Sequence, residues 1–113
     1  MNDNERLDRL SALERQRAQR RMTKIFKALS DGTRQEILRL LDGEDDRSVG
    51  DIVKNFNLSQ PTISRHLSVL KEADLVTDER RGQHVMYRLN QEILASSMKE
   101  FFGQFSGCQQ SLR

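Results

Sequence analysis

Between residues 48 and 73 the chain has room for two short helices, and one tight turn divides them. Asn57-Leu58 closes the first helix, Ser59 caps the second, and Pro61 fits only in a first helical turn, where the missing N–H would be unpaired anyway. Upstream, Ser48-Val49-Gly50-Asp51 matches a capping box, in which the Ser oxygen and the acidic side chain each accept from a helix-terminal N–H. A helix through Ile52, Val53 and Phe56 follows from that start. Beyond the turn, Ile63, Leu67 and Leu70 share one helical face and must be core. Two helices joined by a turn of three or four residues form a helix-turn-helix.

After Ala73-Asp74 the apolar period drops from near 3.6 to near 2. Leu75-Val76-Thr77 is followed by Val85, Tyr87 and Leu89 alternating with polar residues, which predicts two strands. The segment between them, Asp78 to His84, suits a hairpin tip with Arg80-Arg81-Gly82-Gln83 at its centre. A helix-turn-helix running directly into a basic hairpin is a winged helix. The expected fold class is therefore mostly α with a small β-hairpin.

The flanks are helical. Residues 4–29 lack Gly and Pro and bring Leu7, Leu10, Ala18, Met22, Ile25, Phe26 and Leu29 to one face, with Leu13 off it. The opposite face is basic, from Arg6 and Arg9 through Arg20, Arg21, Lys24 and Lys27, and reads as a solvated surface or an auxiliary phosphate contact. Ser30-Asp31-Gly32 ends that helix, and Asp31 caps another carrying Ile37, Leu38, Leu40 and Leu41. Asp42 to Asp46 is acidic, contains Gly43 and reads as a solvated loop. Gln91 to about Phe105 returns to helix, with Leu94, Met98, Phe101, Phe102 and Phe105 in one arc, and a frayed tail is expected from Gly107 onward.

With 113 residues there is material for one core, and 35% hydrophobic content without Trp is thin for a self-sufficient monomer. Three of the five Phe residues crowd the final helix, beyond what so small a core encloses. The expectation is a two-fold dimer in which Leu7, Leu10 and Met22 of the first helix meet Leu94, Met98, Phe101, Phe102 and Phe105 of the last. Residues 1–113 then form a single domain, with 1–29 and 91–113 as dimerisation segments around a helix-turn-helix and wing at 30–90.

The net charge is only +2, from 19 basic and 17 acidic residues, so placement matters more than total. The outward face of the second helix, with Ser59, Gln60, Pro61, Thr62, Ser64, Arg65 and Ser68, is short-chained and polar and carries one guanidinium, as insertion into a major groove requires. Arg80, Arg81, Gln83 and His84 would reach an adjacent minor groove or its phosphates. Two such surfaces related by a dimer axis imply an inverted-repeat operator on double-stranded DNA.

Other chemistry finds little footing. Ser64 and His66 point in different directions and cannot pair as nucleophile and base, and no phosphate-binding glycine loop occurs, so neither enzyme activity nor a cofactor is expected. The single Cys108 excludes an intramolecular disulfide and suits a reducing cytoplasm. No stretch approaches the ~20 apolar residues of a membrane span.

Several motifs in order resemble the ArsR/SmtB family of bacterial repressors. They are Phe26-Lys27-Ala28-Leu29-Ser30-Asp31-Gly32-Thr33-Arg34, the run Leu58 to Leu67, Leu70-Lys71-Glu72-Ala73-Asp74-Leu75-Val76, and the hairpin Arg80 to Leu89. The likeness spans roughly residues 22–94. It implies a homodimeric winged helix-turn-helix repressor that leaves its own promoter when an inducer binds. Many members sense metals, yet Ser48 and Gly50 stand where some carry a Cys-x-Cys pair, and the last helix offers only Glu92 and Glu100 where others use His and acidic ligands. The implied repressor therefore does not use the usual metal sites, and its inducer is unspecified. Two alternatives stay open: an atypical metal or thiol site drawing on His66, His84 or Cys108, and a winged scaffold that docks a protein through its Phe-rich helix.

Overall fold

The computed structural model describes residues 1–43 and 45–111. Helix α1 (Asp3–Leu29) begins where the Asn2 side chain accepts from the Glu5 N–H at 2.8 Å, and it runs without a break. At 1.5 Å per residue it is a rod about 40 Å long, and only Ile25 and Ala28 on it are buried. The radius of gyration is 17.6 Å, against about 13 Å for a compact chain of this size. The excess reflects the N-terminal half of α1, where Leu7, Leu10 and Leu13 are 60%, 49% and 41% exposed.

Asp31 caps α2 (Gly32–Leu41) by accepting from the Arg34 N–H at 3.1 Å, and α2 turns Ile37, Leu38 and Leu41 into the core. Strand β1 (Arg47–Ser48) leads into α3 (Val49–Val53), whose capping box forms in full between Ser48 and Asp51. Helix α3 is shorter than its apolar spacing predicts. The Asn55 side chain bonds the Asp51 carbonyl, and tighter turns at Ile52 to Asn55 and Val53 to Phe56 finish the segment, so residues 54–59 form a longer connection than expected.

Helix α4 (Gln60–Glu72) buries Ile63, Leu67 and Leu70 completely. It ends in a Schellman arrangement: the Asp74 N–H bonds Lys71 O at 2.9 Å, the Leu75 N–H bonds Leu70 O at 3.0 Å, and Asp74 adopts φ +60°. Strands β2 (Val76–Arg81) and β3 (His84–Leu89) form an antiparallel hairpin, and β1 pairs with the other edge of β3 to give the order β1-β3-β2. The hairpin is tighter than the sequence suggested. Arg81 pairs with His84, leaving Gly82 and Gln83 as the whole turn, with Gly82 at φ +62°. Positive φ at the first central residue alone is the type II′ pattern that matches strand twist.

Helix α5 (Gln91–Phe102) stops earlier than expected, at Gly103, and the frayed tail expected from Gly107 onward is a short helix, α6 (Ser106–Ser111), as far as residue 111, with 112–113 outside the described residues. The Cys108 and Gln109 N–H groups both bond Phe105 O, which starts that turn. One core lies beneath α2, α3, α4 and the sheet, closed by Leu75, Val76 and Leu89 and by Ile25 and Ala28 of α1. Among the described residues, no helix is long and apolar enough to cross a membrane.

Candidate nucleic-acid interface

The buried face of α4 fixes what its other face can present. Ser59 starts the helix by accepting from the Thr62 N–H at 3.3 Å, and its hydroxyl lies 2.9 Å from that of Thr62. Gln60, Pro61, Arg65 and Ser68 are exposed, and Thr62 and Ser64 are half-buried beside them. The Ser68 hydroxyl donates to the Ser64 carbonyl at 3.1 Å and keeps its lone pairs for outside donors. The Arg65 side chain makes no hydrogen bond or ion pair among the described residues. One surface therefore combines acceptors, donors and an uncommitted guanidinium.

The helix is anchored at its C-terminal end and at its middle. Lys71 bonds Asp78 of β2 at 2.8 Å, and that hydrogen bond raises the lysine pKa. On the flank facing α2, His66 accepts through Nδ1 from Arg34 Nη1 at 3.2 Å, since a guanidinium can only donate. Arg34 also donates to the final carbonyls of α1, to Ala28 O at 2.7 Å and to Lys27 O at 3.1 Å. Asp31 completes the cluster 3.9 Å from His66 Nδ1, its carboxyl held below the usual range, first by the Arg34 backbone N–H. The sequence alone marks no separate role for Arg34. Its partners lie on two other elements, and local spacing carries no sign of them.

In the wing, Arg80, Arg81, Gln83 and His84 are all exposed. Arg81 is engaged, bonding Asp46 at 2.5 Å and Glu79 at 3.0 Å, while Arg88 Nε reaches the other oxygen of Asp46 at 2.6 Å. The acidic loop is thus not simply solvated: the Asp46 side chain is 7% exposed. The Arg88 hydrogen bond, then the charges of Arg88 and Arg81, lower its pKa against the opposing effect of burial. Nothing near Asp46 in the sequence signals partners this distant.

At the termini, Phe101 meets Phe26 edge-to-face at 4.7 Å and Phe105 at 5.3 Å, so it and the half-buried Phe102 pack partly within the chain itself. Met22 is half-buried, and Leu94 and Met98 pack against the core. Leu7, Leu10 and Phe105 remain exposed, Phe105 by 50%. His66, His84 and Cys108 stand on α4, β3 and α6 respectively, and among the described residues no three His, Cys, Asp or Glu side chains gather as a metal site would require.

A capped helix with an exposed polar face and a three-stranded wing over a shared core define a winged helix-turn-helix protein of the DNA-binding class. Residues 31–78 match the family model for bacterial regulatory proteins of the arsR family. The transcriptional repressor SdpR of Bacillus subtilis is 48% identical over 77 residues, covering 68% of this chain and 84% of that protein. An ArsR-like transcriptional regulator from Rhodococcus superposes with a TM-score of 0.70 at 28% identity, over 81% of this chain and 86% of that one. The homodimeric winged helix-turn-helix DNA-binding domain of a possible ArsR-family regulator from Mycobacterium bovis gives 0.65 at 29% identity, over 80% of each chain. The chain belongs to the ArsR family and is a DNA-binding transcriptional regulator.

Proposed function

We propose that this regulator represses transcription as a homodimer on an inverted-repeat operator, with no catalytic role. Ser59, Gln60, Pro61, Thr62, Ser64, Arg65 and Ser68 would face base edges and flanking phosphates in the major groove. Arg80, Gln83 and His84 of the wing would meet the adjacent minor groove, and Arg81 would join them on leaving its carboxylates. The observation that carries this reading is the uncommitted Arg65 guanidinium, centred on a polar face whose opposite side is wholly buried.

In this reading residues 30–90 form the reading unit, while residues 1–29 and 91–113 join the subunits. Leu7, Leu10, Met22, Leu94, Met98, Phe101, Phe102 and Phe105 would form that contact, supported by the exposed leucines of α1 and by Phe105. The M. bovis neighbour described as homodimeric lends support. A Cys-x-Cys metal site at α3 does not fit this chain, because the Ser48 hydroxyl caps the helix and Gly50 has no side chain. Release from DNA would then follow a small organic ligand, a partner protein or expression level.

The test is fluorescence anisotropy of a labelled duplex from upstream of this protein's own gene against a scrambled duplex, at fixed salt with reductant and chelator. The expected preference for the upstream duplex is about 1,000-fold or more. Equal, weak binding to both would overturn the operator reading.

A further inference from the structure

The wing carries its guanidiniums in two different states. The Arg80 side chain makes no hydrogen bond or ion pair among the described residues, whereas Arg81 and Arg88 converge on the two oxygens of Asp46. The sheet brings this about. Arg47 pairs with Tyr87, so the residue before β1 lies beside Arg88, which opposes Thr77 of β2; Arg81, four residues further along β2, lies on the same face of the sheet as Thr77 and Arg88. Glu79, two residues before Arg81 on β2, accepts from it as well.

Transfer of Arg81 from carboxylate to phosphate would exchange one charge-assisted bond for another, with little net gain. Asp46 would meanwhile remain as a negative charge beside the DNA. A free guanidinium, by contrast, displaces about one condensed counterion from the duplex and contributes fully to sequence-independent affinity. The loop between α2 and β1 therefore withholds positive charge from the wing while leaving Arg65 on α4 untouched.

Resting on the DNA-binding reading above, we propose that Asp46 is a positioning residue that sets the wing's affinity for phosphate by holding Arg81 and Arg88 on its carboxylate. It limits binding to irrelevant sequence and leaves base reading to α4.

The experiment uses the full chain and a labelled scrambled duplex, titrated by anisotropy across a salt series, with thermal melting of each variant in parallel. Asp46→Asn keeps the shape and removes the charge. Affinity for the scrambled duplex should rise about tenfold, and the slope of log K against log salt should steepen by about one. Arg81→Gln should then weaken binding several-fold more in the Asp46→Asn background than in the parent. Unchanged or weaker binding by Asp46→Asn, or an equal effect of Arg81→Gln in both backgrounds, would overturn the proposal. Asp46→Ser provides a second variant; if both substitutions abolish the folded state, Asp46 serves the fold and the proposal also falls. A parent that shows no preference for its upstream duplex defeats the operator reading alone, because the salt comparison is made on scrambled DNA.

Discussion

Helix α4 and the N-terminal half of α1 are both amphipathic, but only α4 has its apolar side covered. Ile63, Leu67 and Leu70 have no exposed surface, whereas Leu7, Leu10 and Leu13 are 60%, 49% and 41% exposed. The same kind of sequence pattern is closed by the chain's own packing in one place and left open in the other. The central unit owes its shape to contacts within one chain, and the terminal rod needs a surface from elsewhere to justify its leucines.

The sharpest test of that contrast pairs Leu67→Ala with Leu10→Ala. The first should lower unfolding free energy by about 2–5 kcal/mol in urea titration, because a fully enclosed side chain leaves a cavity. The second should change the stability of the isolated fold by less than about 0.5 kcal/mol. Equal losses would erase the distinction between the two helices.

Next in size is assembly. Leu10→Asp combined with Phe105→Asp should raise the dimer dissociation constant about 100-fold, near 3 kcal/mol, by sedimentation. An unaltered dimer would move the contact elsewhere. On DNA, Arg65→Ala should cost about 1–3 kcal/mol of operator affinity, while Arg80→Ala should weaken all duplexes alike and reduce the salt slope by about one. Sequence-independent loss from Arg65→Ala would remove base reading from α4.

Acid should act on the central unit. Asp31, Asp46 and Asp51 are all held below the ordinary carboxylate range, chiefly by the Arg34 backbone N–H, the Arg88 side chain and the Ser48 backbone N–H respectively. Carboxyls lowered on folding stabilise fully above their unfolded value of about 4, and that contribution fades as pH falls through the folded values. Melting temperature should hold from neutral pH to about 5 and decline below about 4. A small gain is expected at Asp74→Gly, which should stabilise by about 0.5–1 kcal/mol by relieving a left-handed backbone that glycine adopts freely. A loss in melting temperature would give the Asp74 side chain a role of its own.

What was legible in the sequence is what local chemistry specifies. The caps at Asp31, Ser48 and Ser59 stand where their spacing predicts, and the buried face of α4 follows its periodicity residue by residue. Strand β1 went unread because two residues show no period; it is a strand only because Tyr87 and Met86 offer it an edge. The reach of α3 and α5 was overestimated, since apolar spacing continues past the points where Asn55 and Gly103 end the regular hydrogen bonding. At the candidate interface, periodicity separated the exposed residues of α4 from the core. The engagement of Arg81 by Asp46 and of His66 by Arg34 lay outside its reach, because the partners are 35 and 32 positions apart.

Arg34 has a mechanical consequence. One planar group rooted in α2 bonds the last carbonyls of α1 and a ring nitrogen on α4, so three helices meet at a single guanidinium. Removing that one side chain would take the same donor from Ala28 O, Lys27 O and the His66 ring at once, so a single substitution would loosen three helices together.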